Sequence, residues 1–184
     1  MASNKVNLGI GFATGMFYTA PAGTALPTYP SESLGADWDE AGAVTADGIT
    51  WSTGKDSDPL RNWAKEVERL IASEEGGTVV APLMYTDQAT LETIFGADNV
   101  TVTAATSAHG NLAGVTVAPG VSASPMAFLF IMKDGDDMLM LGTTKGIVRD
   151  VGDIAFAPTE GITWEATIEA AAWTFLKDDG QVTS

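Results

Sequence analysis

The stretch Lys65–Gly96, KEVERLIASEEGGTVVAPLMYTDQATLETIFG, constrains the chain most, because its apolar spacing changes from a period near two to a helical one within a single run. In Lys65–Ser73, Val67, Arg69 and Ile71 alternate with Glu66, Glu68 and Leu70, a strand that is polar at its start. Glu74-Glu75-Gly76-Gly77 supplies residues tolerant of positive φ and predicts a hairpin turn. Thr78–Met84 is β-branched and apolar, and Pro82, which has no N–H for a ladder, predicts that this strand runs at an edge or bends there. Asp87 or Thr86 then serves as N-cap of a short helix whose Ala89, Leu91, Ile94 and Phe95 form one apolar face, closed by Gly96. A helix of about ten residues is marginal alone, so that face must pack on a sheet.

The chain has 184 residues, enough for one domain with its own core. Without cysteine there are no disulfides, thiolate zinc sites or thiol nucleophiles, and His109 is the single histidine, which removes multi-histidine metal sites. Nine basic residues against 24 acidic ones give a formal charge of −15, a surface that repels nucleic acid. Val6–Tyr18 is apolar enough to suggest a signal-peptide core. It is set aside because it has one preceding positive charge, three glycines and Pro-flanked cleavage candidates. No run approaches the roughly 20 apolar residues that span a bilayer. The expected site of synthesis is the cytoplasm.

Most of the remaining chain reads as β. Met1–Gly11 is an Asn- and Gly-rich arm, flexible or docked on a partner, and Gly15–Ala20 is a strand stopped by Pro21-Ala22-Gly23. The Pro/Gly/Ser-rich loop from Pro21 to Gly35 is too polar for a core and suits partner contact. Trp38–Trp51 reads as strand, turn and strand with Asp47-Gly48 as the hairpin dipeptide, and Ser52–Ala64 as a long polar loop carrying Trp63. Val100–Ala104 and Val115–Val117 are short strands around the His109 loop. Met126–Lys133, almost continuously apolar, turns through Asp134–Asp137 into Met138–Leu141 as the core hairpin. In Gly161–Ala170, Ile162, Trp164, Ala166 and Ile168 face one way and Thr163, Glu165, Thr167 and Glu169 the other; Trp173-Thr174-Phe175 extends this strand or begins a C-terminal arm.

Sites of chemistry are weak. Gly9-x-Gly11 lacks the third glycine and following helix of a dinucleotide fingerprint, and Asp134–Asp137 would place Lys145 where a calcium loop needs glutamate. Asp56 and Asp58 suit turn capping, and His109 sits among Ser, Ala, Gly and Asn without a nucleophile motif. Neither a cofactor nor a metal is expected. Of the five tryptophans, Trp63 in its polar loop is assigned to an interface and the rest to core.

The order of elements, GMFYTAPAGTALP, GAVTADGIT, a polar loop ending in Trp63, EVERLIASEEGG, a strand and a helix closing at IFG, resembles the major tail protein, or tail tube protein, of long non-contractile-tailed phages. The likeness runs along Gly15–Gly96, and over the C-terminal third in pattern only. It implies a mainly β, sandwich or barrel-like domain over residues 1–184 with one short flanking helix and long loops, related in fold to the type VI secretion tube protein. Such subunits form hexameric rings that stack into a hollow tube for DNA. Six copies at −15 each carry −90, and a channel so lined offers phosphates no cations to stick to. Pairing around a ring would also cover open sheet edges.

The resemblance further implies that the arms 1–11 and 174–184 and the loop 52–64 touch neighbouring subunits, the loop between the second and third strands being the main inter-ring contact. Within and beside these segments the contact candidates are Phe12, Lys55, Asp56, Asp58, Leu60, Arg61, Trp63, Trp173 and Phe175. Implied partners are the chain itself and the tape measure, tail tip and tail terminator proteins. Double-stranded DNA would pass transiently, no membrane would be involved, and assembly would take place in the host cytoplasm before residence in the virion tail. The alternative is a secreted β-sandwich module binding carbohydrate or a surface, which would be a stable monomer. An enzyme is disfavoured, since no triad, metal set or phosphate loop is present.

Overall fold

The computed structural model describes residues 14–54, 56–61, 67–74, 76–84, 86–116, 123–154, 156 and 161–179. The strands are β1 (Thr14–Pro21), β2 (Asp39–Ala43), β3 (Thr50–Ser52), β4 (Asp56–Arg61), β5 (Val67–Glu74) and β6 (Gly77–Leu83) before the helix α1 (Gln88–Phe95). After it come β7 (Val100–Thr103), β8 (Leu112–Val115), β9 (Met126–Asp134), β10 (Asp137–Val151), β11 (Trp164–Ala170) and β12 (Thr174–Asp178). The fold is mainly β and antiparallel, consistent with a sandwich-like body.

The main sheet runs β2-β1-β9-β10-β11-β6-β3, with β12 also on β10. Its two ends nearly meet. The bridge Val44↔Leu83, with Thr45 N–H on the Pro82 carbonyl at 2.9 Å and Met84 N–H on the Ala43 carbonyl at 3.0 Å, ties the end of β2 to β6. This closure leaves β3 outside it and explains Pro82. Strand β6 lies between β11 and β3, not at an edge, but β3 pairs only with Thr78–Val80 and has ended before Pro82. N–H and C=O of one strand residue point the same way, so the missing N–H faces the side where β3 has run out.

The core forms where the apolar runs predict it. Ala127–Phe130 of β9 are buried on both faces. On one face Phe17 stacks between Phe130, with ring centroids 4.7 Å apart, and Phe128 at 6.0 Å. On the other, Leu129 and Leu26 of the loop after β1 both lie against Gly142, and Gly23 N–H bonds the Thr144 carbonyl at 2.7 Å. That loop, expected to serve partner contact, therefore packs partly on its own sheet, with Pro30 buried as well. Strand β11 buries Trp164, Ala166, Ile168 and Ala170 in alternation, as its sequence predicts.

Helix α1 follows its sequence signals. Asp87 accepts the Thr90 N–H at 2.8 Å, and Gly96 N–H closes on the Glu92 carbonyl at 2.8 Å. Leu91 and Ile94 enter the core cluster, Thr90 Oγ1 donates to the Ala41 carbonyl at 2.7 Å, and Phe95 meets Trp164 edge-on. Replacing Asp87 by alanine removes the cap and is expected to lower stability by about 1 kcal/mol. Chemical denaturation should show this as a lower midpoint with an unchanged slope.

Several pairings differ from the sequence reading. Asp47-Gly48 does turn the chain, Gly48 N–H reaching the Thr45 carbonyl at 3.0 Å, but β2 pairs with β1 and β3 with β6, so there is no β2–β3 hairpin. Nor do β5 and β6 pair with each other across Glu74–Gly77. Strand β5 pairs with β4, and the expected loop 52–64 thus contains a strand. The segment after Trp173, expected as an arm, begins with β12 on the first half of β10. Turn dipeptides specify a reversal, whereas the partner of each strand is set by contacts distant in sequence. The N-terminal arm 1–11 lies outside the described residues. No described helix is long and apolar enough to cross a membrane.

Candidate assembly surface

Ser52 lies opposite Thr78 and Asp56 opposite Glu74, four residues further on along both strands. At these positions the β4/β5 ladder keeps the register of the β3/β6 ladder, and it then shifts register after Asp56 and again after Leu60. Beyond Ser52 it adds nine residues up to Arg61, roughly 30 Å if fully extended. Its root is made by glycines. Gly54 has φ 58° and Gly76 φ 131°, and a Cβ on Gly54 would collide with the Gly76 carbonyl oxygen. Only residues without Cβ let the two backbones cross so closely.

Beside this root lie three aromatic side chains. Trp173 Nε1 donates to the Gly77 carbonyl at 2.9 Å, and a Cβ on Gly77 would meet both Trp173 at 3.2 Å and Trp51 at 3.3 Å. Trp51 stacks on Phe175 with centroids 6.2 Å apart and planes 13° from parallel. Trp51 is 38% exposed and Phe175 46%. The pair links two edges that are open among the described residues, where β3 pairs with β6 and β12 with β10 on one side each. Exposed aromatics beside unpaired backbone suit association with another chain.

The structure thus brings together two expected contact residues, Trp173 and Phe175, and adds Trp51, which the sequence reading assigned to core. Its flanks carried the signal: Thr50, Ser52 and Thr53 are polar, the composition of a short edge strand. Asp56, Asp58, Leu60 and Arg61 fall on β4 of the arm. Phe12, Lys55 and Trp63 lie outside the described residues. His109 is held in its loop with Nδ1 2.7 Å from the Gly110 carbonyl.

The charge is unevenly spread. Residues 14–54 and 76–116 contain neither lysine nor arginine. Between β2 and α1 a groove of about 500 Å³ is lined by Asp39, Glu40, Glu92 and Asp98. Nearby, burial first and the Glu40 carboxylate second raise the Tyr18 pKa above its ordinary value. The folded state favours the neutral phenol, so this contribution to stability is lost as pH rises past about 10. No group of three or more His, Asp or Glu side chains arranged to hold a metal ion occurs among the described residues.

An antiparallel β body with two open aromatic edges and a long hairpin continuing from one of them is the outline of a structural subunit that associates with its own kind. The chain belongs to the phage tail tube protein family, whose model, described as Phage tail tube protein, matches residues 1–180. It is a structural component of a phage tail, and membership implies assembly with itself and with other tail components. No curated protein matches its sequence.

Proposed function

We propose that the chain, acting as a single tail-tube domain, assembles in the host cytoplasm into hexameric rings that stack into the tail tube, a negatively charged conduit for DNA. The observation that carries this is the Trp51–Phe175 pair bridging the open edges of β3 and β12 at the root of the hairpin arm. Family membership supports the reading, as do the formal charge of −15 and the stretches 14–54 and 76–116, which lack lysine and arginine. A neighbouring copy pairing on an open edge would bury both rings and satisfy the backbone. The β4–β5 arm, with Asp56, Asp58, Leu60 and Arg61, and with Lys55 and Trp63 of the same segment, reaches the next ring. The tape measure occupies the lumen before DNA, and the tail tip and terminator proteins cap the ends. The subunit works without a cofactor, catalysis or a membrane.

Sedimentation over a concentration series tests this against a carbohydrate-binding module, which would remain monomeric while binding sugar. Trp51→Ser should raise the concentration needed for assembly about tenfold or more, as truncating a central aromatic anchor does. Its effect on monomer stability should stay near 0.5 kcal/mol, because the ring is surface-exposed. Equal loss of assembly and of fold would place Trp51 in the core instead. Gel-shift experiments at low salt should find no retention of double-stranded DNA by the tubes, whereas salt-sensitive binding would contradict a non-adhesive lumen.

A further inference from the structure

We propose that the β7–β8 ribbon of one copy pairs on the β3/β12 edge of the next and lays one apolar face, carrying Val102 or Leu112, against Trp51 and Phe175, an inference that rests on the self-assembly just proposed. The ribbon has four residue pairs, from Val100↔Val115 to Thr103↔Leu112, and among the described residues it forms a sheet of two strands. A two-stranded hairpin is marginal alone in water. This one is held at its root, where Thr116 N–H bonds the Asn99 carbonyl at 3.0 Å. At its tip Asn111 Oδ1 accepts the Ala105 N–H and the His109 carbonyl accepts the Thr106 N–H, both at 2.8 Å. It is thus a preformed element, and docking it costs less ordering than docking a free loop.

The two surfaces match in chemistry. Val102 is 45% exposed and Leu112 50%, and since Val102 lies opposite Ala113 and Leu112 opposite Thr103, they stand on opposite faces of the ribbon. Of the seven large apolar side chains exposed among the described residues, the ribbon and the Trp51–Phe175 pair hold four. Edge strands are commonly guarded by charge, yet no Asp, Glu, Lys or Arg occurs from Asn99 to Met132, nor in 48–54 or 170–176 around the aromatic pair. Copies that each carry −15 repel wherever like charges face, so they meet at least cost where both surfaces are neutral. A basic partner would find no anion to hold on either surface. Strand addition also lets each backbone edge satisfy the other.

Strand β6 separates the two surfaces within one copy. Trp51 lies opposite Val79, two residues from the start of β6 at Gly77. At its other end Leu83 lies opposite Trp164, which Phe95 of α1 meets edge-on. The ribbon begins there, with Asn99 Nδ2 donating to the Phe95 carbonyl at 2.7 Å. From Gly77 to Leu83 the strand covers roughly 20 Å, whereas Val102 and Leu112 stand only two and three residues from the ribbon's root pair Val100↔Val115, roughly 7–10 Å. The contact therefore joins different copies head to tail, and a heterologous contact of this kind closes into rings or continues as a filament.

The absence of cysteine allows single thiols to be placed. Full-length variants with Val102→Cys or Leu112→Cys are mixed with Thr50→Cys or Thr174→Cys, which leave both rings in place. They are assembled and mildly oxidised after each variant is shown to melt with the unmodified chain. A disulfide needs Cα atoms within about 7 Å. The expected result is a cross-link between unlike chains, enriched at least about tenfold in assembled over unassembled protein by the raised effective concentration. In parallel, Val102→Glu should lower tube yield at least about tenfold with the melting transition unmoved, while Val102→Thr assembles as the unmodified chain does. Tubes in which none of the four pairings cross-links, or normal assembly of Val102→Glu, would overturn the inference while leaving the proposed function intact. Failure of the unmodified chain to assemble, seen in the same samples by electron microscopy, would remove both.

Discussion

Phe128→Ala is expected to lower the unfolding free energy by about 3–5 kcal/mol, the range for truncating a fully buried aromatic. Phe128 is fully buried, stacks on Phe17, and lies where a Cβ on Gly146 would stand 3.0 Å from its ring. Phe17 and Gly146 belong to the paired strands β1 and β10, so the cavity cannot collapse on these sides without moving the ladders on either side of β9. Against a total stability of about 5–15 kcal/mol this is a large fraction, and the melting temperature should fall by roughly 10 °C. A loss below about 1 kcal/mol in calorimetry would mean that the Phe17–Phe128–Phe130 stack does not form the closed core.

Gly54→Val is expected to separate folding from assembly. The positive φ of Gly54 strains any L-residue by about 1–2 kcal/mol, and more when it is β-branched. The clash with Gly76 is with a backbone carbonyl, which cannot rotate away as a side-chain tip can. The β4/β5 hairpin must therefore splay or tilt from the β3/β6 ladder. The Phe17–Phe128 core is built by other strands, so the main melting transition should shift little. Tube yield at fixed concentration should fall at least about tenfold, the scale of losing one well-placed interface contact. Gly35→Ala, at a position with nothing within 4 Å and no positive φ, is the neutral control. Normal tubes from Gly54→Val would show that the arm geometry is irrelevant to assembly.

Elements with a strong internal period were legible in the sequence. Ile162 to Ala170 alternates because one face of β11 is buried, Ala127–Phe130 is continuously apolar because both faces of β9 are covered, and Asp87 and Gly96 mark the helix through its orphan backbone groups. The pairing of strands was not legible. Asp47-Gly48 and Glu74–Gly77 look like hairpin turns, yet the strands they connect bond partners elsewhere in the chain. The extension of β10 through GTTKGIVRDV was hidden because two glycines and two cations interrupt its apolar pattern. Strand β4 reads as a loop because Asp56, Asp58 and Pro59 are not strand formers. Of the proposed assembly surface, Trp173 and Phe175 stand out, while Trp51 does not, since a lone tryptophan after a turn has the same local sequence whether its ring faces the core or solvent.

The most direct test of the account is negative-stain electron microscopy of the concentrated full-length chain, with a tail-tip complex added to a second sample as initiator. Stacked rings or hollow tubes of uniform width are expected, in the first sample or on initiation in the second. A monodisperse monomer at every concentration in both samples would contradict it.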